Sequence, residues 1–345
     1  KLLKILIKKD IALISMHTNI DKTHLNSYVG NDILGLNFEK SDDFVLTTKV
    51  DMSFEELQEY IKKKLGITTL KVTDSTKKIK TLSLTTGSGM TGLVNKFQRI
   101  LGLKVAENLK DYTNVPEDLK PIVFVSHMEH HSNQTSWLET IADVEVVPCN
   151  DAGLVCLKSF EKCIQKYEHR KIKIASITAC SNVTGIKTEY HKVAKLIHKY
   201  NGLCFIDFAC CAPYVDINMH PEIEEEYLDA IFFSPHKFLG GPGSSGVLIF
   251  NKKLYKNTIP DNPGGGTVSY TNPWGQHDYF DDVETREDGG TPGFLQTIRV
   301  ALSIQLKEKM GVKNIKNREE EINKVVFSTL ETLPEVKILA PNHKE

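Results

Sequence analysis

Gly202-Leu203-Cys204-Phe205-Ile206-Asp207 is an apolar run about one strand long that ends on a carboxylate. No polar residue alternates along it, so both its faces are expected to be covered, as in a central strand with helices on either side. The same pattern recurs in both directions. Residues 122–125, 230–233 and 247–250 are short apolar runs, and 144–147, 172–177 and 81–86 read as further strands. Between them lie helical faces: Leu93, Val94, Phe97, Ile100 and Leu101; Leu157, Phe160, Cys163, Ile164 and Tyr167; Tyr190, Val193, Ala194, Ile197 and Tyr200. The expected fold is α/β, with a mostly parallel central sheet covered by helices on both faces. In such sheets ligands sit outside the C-terminal ends of the strands.

The 345 residues allow two domains, at most three. With 40% hydrophobic and 25% charged residues the chain is globular rather than disordered or collagen-like. Lys and Arg number 43 against 44 Asp and Glu, which argues against nucleic acid as the main partner. No apolar stretch reaches the ~18 residues of a membrane helix. Seven cysteines, an odd number without a C-x-x-C, argue against a disulfide framework or a zinc ribbon. They read as thiols in a reduced, cytoplasmic setting. The opening KLLKILIKKD is interrupted by lysines and is no secretory signal. The chain reads as a piece of a longer protein continuing beyond Glu345.

Residues 1–80 differ from the rest. Ser53 and Glu56 form a capping box, followed by Phe54, Leu57, Tyr60, Ile61 and Leu65 at helical spacing and Gly66 as a stop. From Lys80 the strand–loop–helix rhythm begins. The expected division is a small N-terminal α/β segment over 1–80, a large domain over 81–312, and the start of a smaller domain over 313–345.

Three strand ends carry candidate chemistry. Thr85-Thr86-Gly87-Ser88-Gly89-Met90-Thr91-Gly92 joins a strand to a helix, and its glycines and free helical N–H groups suit a phosphate. It also spells G-x-G-x-x-G, but the acids at the dinucleotide spacing, Glu107 and Asp111, precede the next strand rather than close it. A tight turn without a ligand also fits. Asp207 is costly to bury unless a cation or donors meet it; a loop acid or helix cap is the plainer alternative. Lys237 in Ser234-Pro235-His236-Lys237-Phe238-Leu239-Gly240-Gly241-Pro242-Gly243 sits between an apolar strand and a glycine run, where a partly dry lysine can act as a nucleophile; a surface lysine on a turn is the alternative. Together the three meet the needs of pyridoxal phosphate: a phosphate cradle, an acid facing the ring nitrogen and an amine for the aldehyde. His127-Met128-Glu129 opens a zinc-deaminase pattern, but Ala152 stands where the second cysteine after Pro148-Cys149 belongs.

Residues from about 80 to 345 resemble class V aminotransferases, the branch of fold-type I pyridoxal-phosphate enzymes that includes cysteine desulfurases. The resemblance rests on TGSGMTGLVNKFQRILGL (86–103), HMEHHSNQTSW (127–137), ACSNVTGI (179–186), FIDFACCAPYVDI (205–217), FSPHKFLGGPGSSGVLIF (233–250), PGGGTVSY (263–270) and REDGGTPGF (286–294), in the family's order. It implies that Lys237 is the Schiff-base lysine, that Asp207 pairs with the pyridine nitrogen and that His130 stacks on the ring. Asn182 would lie near the ring oxygen or substrate. Gly89, Met90 and Thr91 would hold the phosphate with Ser234 and His236. Gly290 and Thr291 would reach the phosphate of a neighbouring subunit, which implies a homodimer. Cys210 stands three residues after the aspartate, where cysteine desulfurases commonly carry glutamine, and would take that place against the cofactor. The family's substrate-carboxylate arginine and sulfur-accepting cysteine would fall beyond Glu345.

Ser15-Met16-His17-Thr18-Asn19-Ile20-Asp21, then Gly30-Asn31-Asp32-Ile33-Leu34, resembles the dinuclear-metal proteins of the type-2 GTP cyclohydrolase-like family. That implies Asp21 as a ligand of a divalent metal, with His17 close by; the family's remaining ligands are not visible, and a polar strand end with a capping acid fits equally. The expected function is a pyridoxal-phosphate enzyme acting on an amino acid by transamination or cysteine desulfurization. The alternative is a non-catalytic metal-binding or scaffold protein that uses the N-terminal segment.

Overall fold

In the computed structural model the chain divides into two compact units, residues 1–80 and 81–345. The described residues are 35, 39–40, 46–47, 59–60 and 62–64 in the first unit, and 89–291 and 293–334 in the second. In the first, β1 (Glu39–Lys40) pairs antiparallel with β2 (Leu46–Thr47). Residues 59–60 and 62–64 are helical, inside the span of the predicted amphipathic helix. The candidate metal ligands His17 and Asp21, the capping box at Ser53 and Glu56, and the predicted strand 81–86 with Gly87 and Ser88 lie outside the described residues.

The second unit is built on a six-stranded sheet of order β4-β3-β5-β6-β7-β8. Its strands are β3 (Ile122–Ser126), β4 (Asp143–Val147), β5 (Lys173–Thr178), β6 (Leu203–Asp207), β7 (Ala230–Phe233) and β8 (Val247–Phe250). All neighbours run parallel except β7 and β8. Successive side chains of a strand point to opposite faces, and here both faces are dry. Ile122, Phe124, Cys204, Ile206, Ile231 and Phe233 enter one core, and Val123, Val125, Phe205 and Phe232 enter the other. That is why the runs lack polar alternation. The first core is covered by α3 (Leu157–Lys166) and α4 (Tyr190–Lys199), the second by α1 (Gly89–Ile100) and α2 (His131–Leu138).

Helix α1 is anchored by Phe97, which is fully buried and meets Phe205, Phe232 and Phe250 at ring-centroid distances of 5.1, 5.9 and 4.9 Å. These rings belong to β6, β7 and β8, so one side chain fixes the helix across three strands. Gly246 lets the chain entering β8 pass the first turn of α1: a Cβ there would lie 2.7 Å from the backbone carbon of Gly89.

Helix α2 carries no apolar periodicity and was not among the predicted helices. Its buried residues are Asn133, Ser136 and Trp137. The Trp137 Nε1–H donates to Asn133 Oδ1 (3.2 Å) and Ser176 Oγ (3.0 Å), and Ser176 Oγ donates to Asn133 Oδ1 (2.7 Å). Hydrogen bonds to β5 thus supplement the apolar seal. Beyond the sheet come the hairpin β9 (Val268–Thr271) and β10 (His277–Tyr279), the short helix α5 (Val283–Glu287), and the long helices α6 (Phe294–Met310) and α7 (Val312–Leu330).

Candidate active site

A cavity of about 230 Å³ opens beyond the C-terminal ends of β5, β6 and β7. Met90, Thr91, His130, Asn182, Asp207, Cys210, Ser234, His236 and Lys237 line it, as do Ser132, Thr178, Cys180 and Ala209. Nine of the site residues expected from the sequence therefore converge on one space, from segments spread over some 150 positions of the chain.

Asp207 closes β6 and is buried. Its Oδ1 accepts the Ala209 N–H at 2.8 Å, while Oδ2 has no hydrogen-bond partner among the described residues. Burial pushes the carboxyl up to about 6, against the Ala209 hydrogen bond and the Lys237 charge, both of which pull it down. Lys237 ends the short 3₁₀ turn Pro235–Lys237 that follows β7. Its ammonium also acts on His130, whose pKa is held below the ordinary value by burial first, then by Lys237 and His131.

His130 caps α2. Its Nδ1 accepts the Ser132 N–H at 3.2 Å, which leaves the proton of the neutral ring on Nε2. Ser132 Oγ in turn meets Thr91 Oγ1 at 2.6 Å, tying the cap of α2 to the first turn of α1. On the opposite side of that turn the Met90 N–H donates to Ser234 Oγ at 3.0 Å. Gly89 has φ +58°, and a Cβ there would lie 2.6 Å from His236 Cε1. The start of α1, with its N–H groups and the positive end of its dipole, therefore faces Ser234 and His236 across a gap only glycine permits.

Beneath this layer, Glu129 ties three elements together. Its Oε1 accepts from Ser126 N–H (3.2 Å), Ser126 Oγ (2.6 Å) and Thr178 N–H (2.9 Å), and its Oε2 accepts from Asn133 Nδ2 (2.6 Å). Burial raises its carboxyl to about 7 despite these bonds. Glu129 was not a predicted site residue; the sequence marks it as the acid of the rejected His127-Met128-Glu129 pattern and as an acid placed directly before His130 at the exit of a strand. Ser132, Thr178, Cys180 and Ala209 were likewise missed, and of these Thr178 and Cys180 could have been found by extending the strand-end argument to β5.

Gly290 and Thr291 are exposed and do not line this cavity; the Gly290 N–H donates to Gly265 O at 2.9 Å. Glu107 and Asp111 fall in the exposed 3₁₀ stretch Glu107–Tyr112 rather than at a strand end, so the dinucleotide pattern lacks its acid. His127 Nε2 meets Gly153 O at 3.1 Å, and among the described residues no three His, Cys, Asp or Glu side chains are grouped to hold a metal. Among the described residues no helix is long and apolar enough to cross a membrane.

Residues 104–345 match the aminotransferase class-V family, and residues 1–105 match Duf34/NIF3 (NGG1p interacting factor 3). Among curated proteins the chain is similar to the probable cysteine desulfurase of Halalkalibacterium halodurans, at 26% identity over 227 residues, 64% of this chain and 53% of that protein. It is 25% identical over 228 residues to the cysteine desulfurase of Escherichia coli strain K12, again 64% of this chain and 53% of the relative. The chain thus spans about half the length of the curated relatives it matches. Among solved structures, the cysteine desulfurase CsdA of Escherichia coli superposes with a TM-score of 0.61 at 18% identity, over 84% of this chain and 67% of that one. The apo cysteine desulfurase of Thermococcus onnurineus NA1 gives 0.57 at 21% identity, over 72% and 57%. At these identities the likeness is one of fold.

Proposed function

This chain belongs to the aminotransferase class-V family, and from that premise we propose that its cavity holds pyridoxal phosphate and acts on an amino acid, with cysteine the favoured substrate. The observation that carries the reading is a buried carboxylate, Asp207, one of whose oxygens has no hydrogen-bond partner among the described residues, sharing a small cavity with Lys237 and the first turn of α1. A buried acid without a cation is costly, and a protonated pyridine nitrogen would supply the missing partner. The glycine gap at Gly89, with the α1 N–H groups and the hydroxyls of Thr91 and Ser234, suits a phosphate dianion. The residues present therefore fit the group.

When bound, pyridoxal phosphate draws electrons from the substrate Cα. The rest falls to the chain. Asp207 Oδ2 would keep the ring nitrogen protonated. Lys237 Nζ would hold the aldehyde and would be placed to move the proton at the substrate Cα. His130, held by its Nδ1 bond, would support the ring, and Asn182 and Cys210 would lie near its oxygen. His236 and Ser234 would hold the phosphate. Gly290 and Thr291, exposed on this protomer, would serve the phosphate of a partner in a homodimer. Residues 313–345 would begin a smaller domain. Seven free cysteines suit a reducing, cytoplasmic setting.

The cysteine desulfurases among the relatives favour desulfurization over transamination. Added pyridoxal phosphate is expected to remain with the protein through dialysis and to give a visible absorbance band that Lys237→Ala removes. A band that survives this substitution would overturn the assignment of the lysine. With cysteine and a reductant, the loaded protein is expected to release sulfide; formation of a keto acid and aminated cofactor instead would point to transamination.

A further inference from the structure

Cys180 and Cys210 belong to none of the roles above that need a thiol, yet both line the cavity. They follow adjacent parallel strands, β5 and β6, whose ends are in register at Thr178 and Asp207. Cys180 Sγ donates to Gly185 O at 3.2 Å and lies 3.7 Å from Ser181 O; Cys210 Sγ donates to the same Ser181 O at 3.8 Å. Both sulfurs thus lie within 3.8 Å of one carbonyl oxygen, on the two loops that leave these adjacent strands. We propose that Cys180 and Cys210 are an oxidisable dithiol in the cavity wall, which a hydroperoxide converts to a disulfide.

Cys210 is the attacking sulfur. It is half-buried where Cys180 is buried. The Cys180 thiol beside it and the Lys237 charge bring its thiol down to about 7 against burial and Asp207. Cys180 is pushed the other way by Cys210 beside it, by burial and by Cys211, with Lys187 opposing. The neighbouring Cys211 is raised to about 12 by burial and stays a thiol. The Cys210 thiolate attacks one peroxide oxygen and the O–O bond breaks. The leaving hydroxide takes a proton and departs as water, and Cys210 becomes a sulfenic acid. Cys180 sulfur then displaces the sulfenic oxygen, which leaves with the Cys180 proton as a second water. Two electrons pass from the thiols to the peroxide.

Resting on the proposed function, the disulfide pulls Cys210 from its place beside the ring oxygen, so oxidation lowers cofactor retention. The test treats the full chain with hydrogen peroxide and maps its peptides by mass spectrometry. A pair joined through 180 and 210, two hydrogens lighter, restored by dithiothreitol and absent in Cys180→Ser, is the expected result. Cys210 over-oxidised with Cys180 free, or a link through Cys211 instead, overturns the dithiol. In the same samples, pyridoxal-phosphate retention is expected to fall by roughly tenfold or more, about 1.4 kcal/mol, and to be alike before and after peroxide in Cys180→Ser. A linked protein with unchanged retention overturns the effect on the cofactor. Reduced protein that forms the link but never retains pyridoxal phosphate sinks the proposed function and leaves the dithiol standing.

Discussion

Asp207 and Lys237 meet in one cavity from the ends of neighbouring parallel strands, thirty positions apart in sequence, and the lysine's charge opposes the burial that raises the acid. Apolar strand ends do not ordinarily carry a buried carboxylate with a free oxygen. The stability it costs is the mark of a position kept for a ligand.

That cost has a pH signature. The Asp207 carboxyl is raised in the folded chain, so its contribution to stability is fully present below the ordinary carboxylate pKa and is lost as pH rises through about 6. Asp207→Asn, which does not titrate, is expected to remove this component. Urea unfolding of the cofactor-free protein from about pH 4 to 8 should show the variant gaining on the wild type as pH rises. Parallel curves would refute the buried-acid account. Pyridoxal-phosphate retention should fall in the same variant.

Glu129→Gln tests the layer beneath. Whichever way the amide is turned, its NH₂ faces a donor: Asn133 Nδ2 on one side, or the Ser126 and Thr178 N–H groups on the other. A loss of about 1–3 kcal/mol is expected at low pH, shrinking as pH rises through about 7 because the carboxyl is raised in the folded chain. Equilibrium unfolding reads it, and an unaltered midpoint would mean the network carries no weight.

Gly89→Ala and Gly246→Ala separate two kinds of crowding. At Gly89 the added methyl meets the His236 ring and a positive φ, for an expected cost of roughly 1–2 kcal/mol and weaker cofactor retention. At Gly246 it meets the Gly89 backbone, which cannot turn aside, so the larger loss of stability is expected there. Denaturation midpoints and an absorbance titration compare the two.

Phe97→Ala should cost about 3–5 kcal/mol in urea unfolding, because the cavity it leaves is walled by three rings on three strands. A smaller loss would mean that α1 is held by something other than this ring.

Much of this protein was legible in its residues alone. Uninterrupted apolar runs demand cover on both faces, and the runs at 122–125, 203–206, 230–233 and 247–250 are all strands. An acid, a lysine and a glycine-rich helix start at strand ends are unusual enough to be picked out singly. What the residues could not supply was convergence. Helix α2 has no apolar stripe because Asn133, Ser136 and Trp137 satisfy one another and β5, and that partnership exists only once the sheet has formed. Glu129 and Cys180 look like ordinary loop residues until parallel pairing sets the ends of β3 and β5 side by side. Local chemistry is written in the order of residues; burial, shared hydrogen bonds and shifted proton affinities depend on distances that only the packed chain creates.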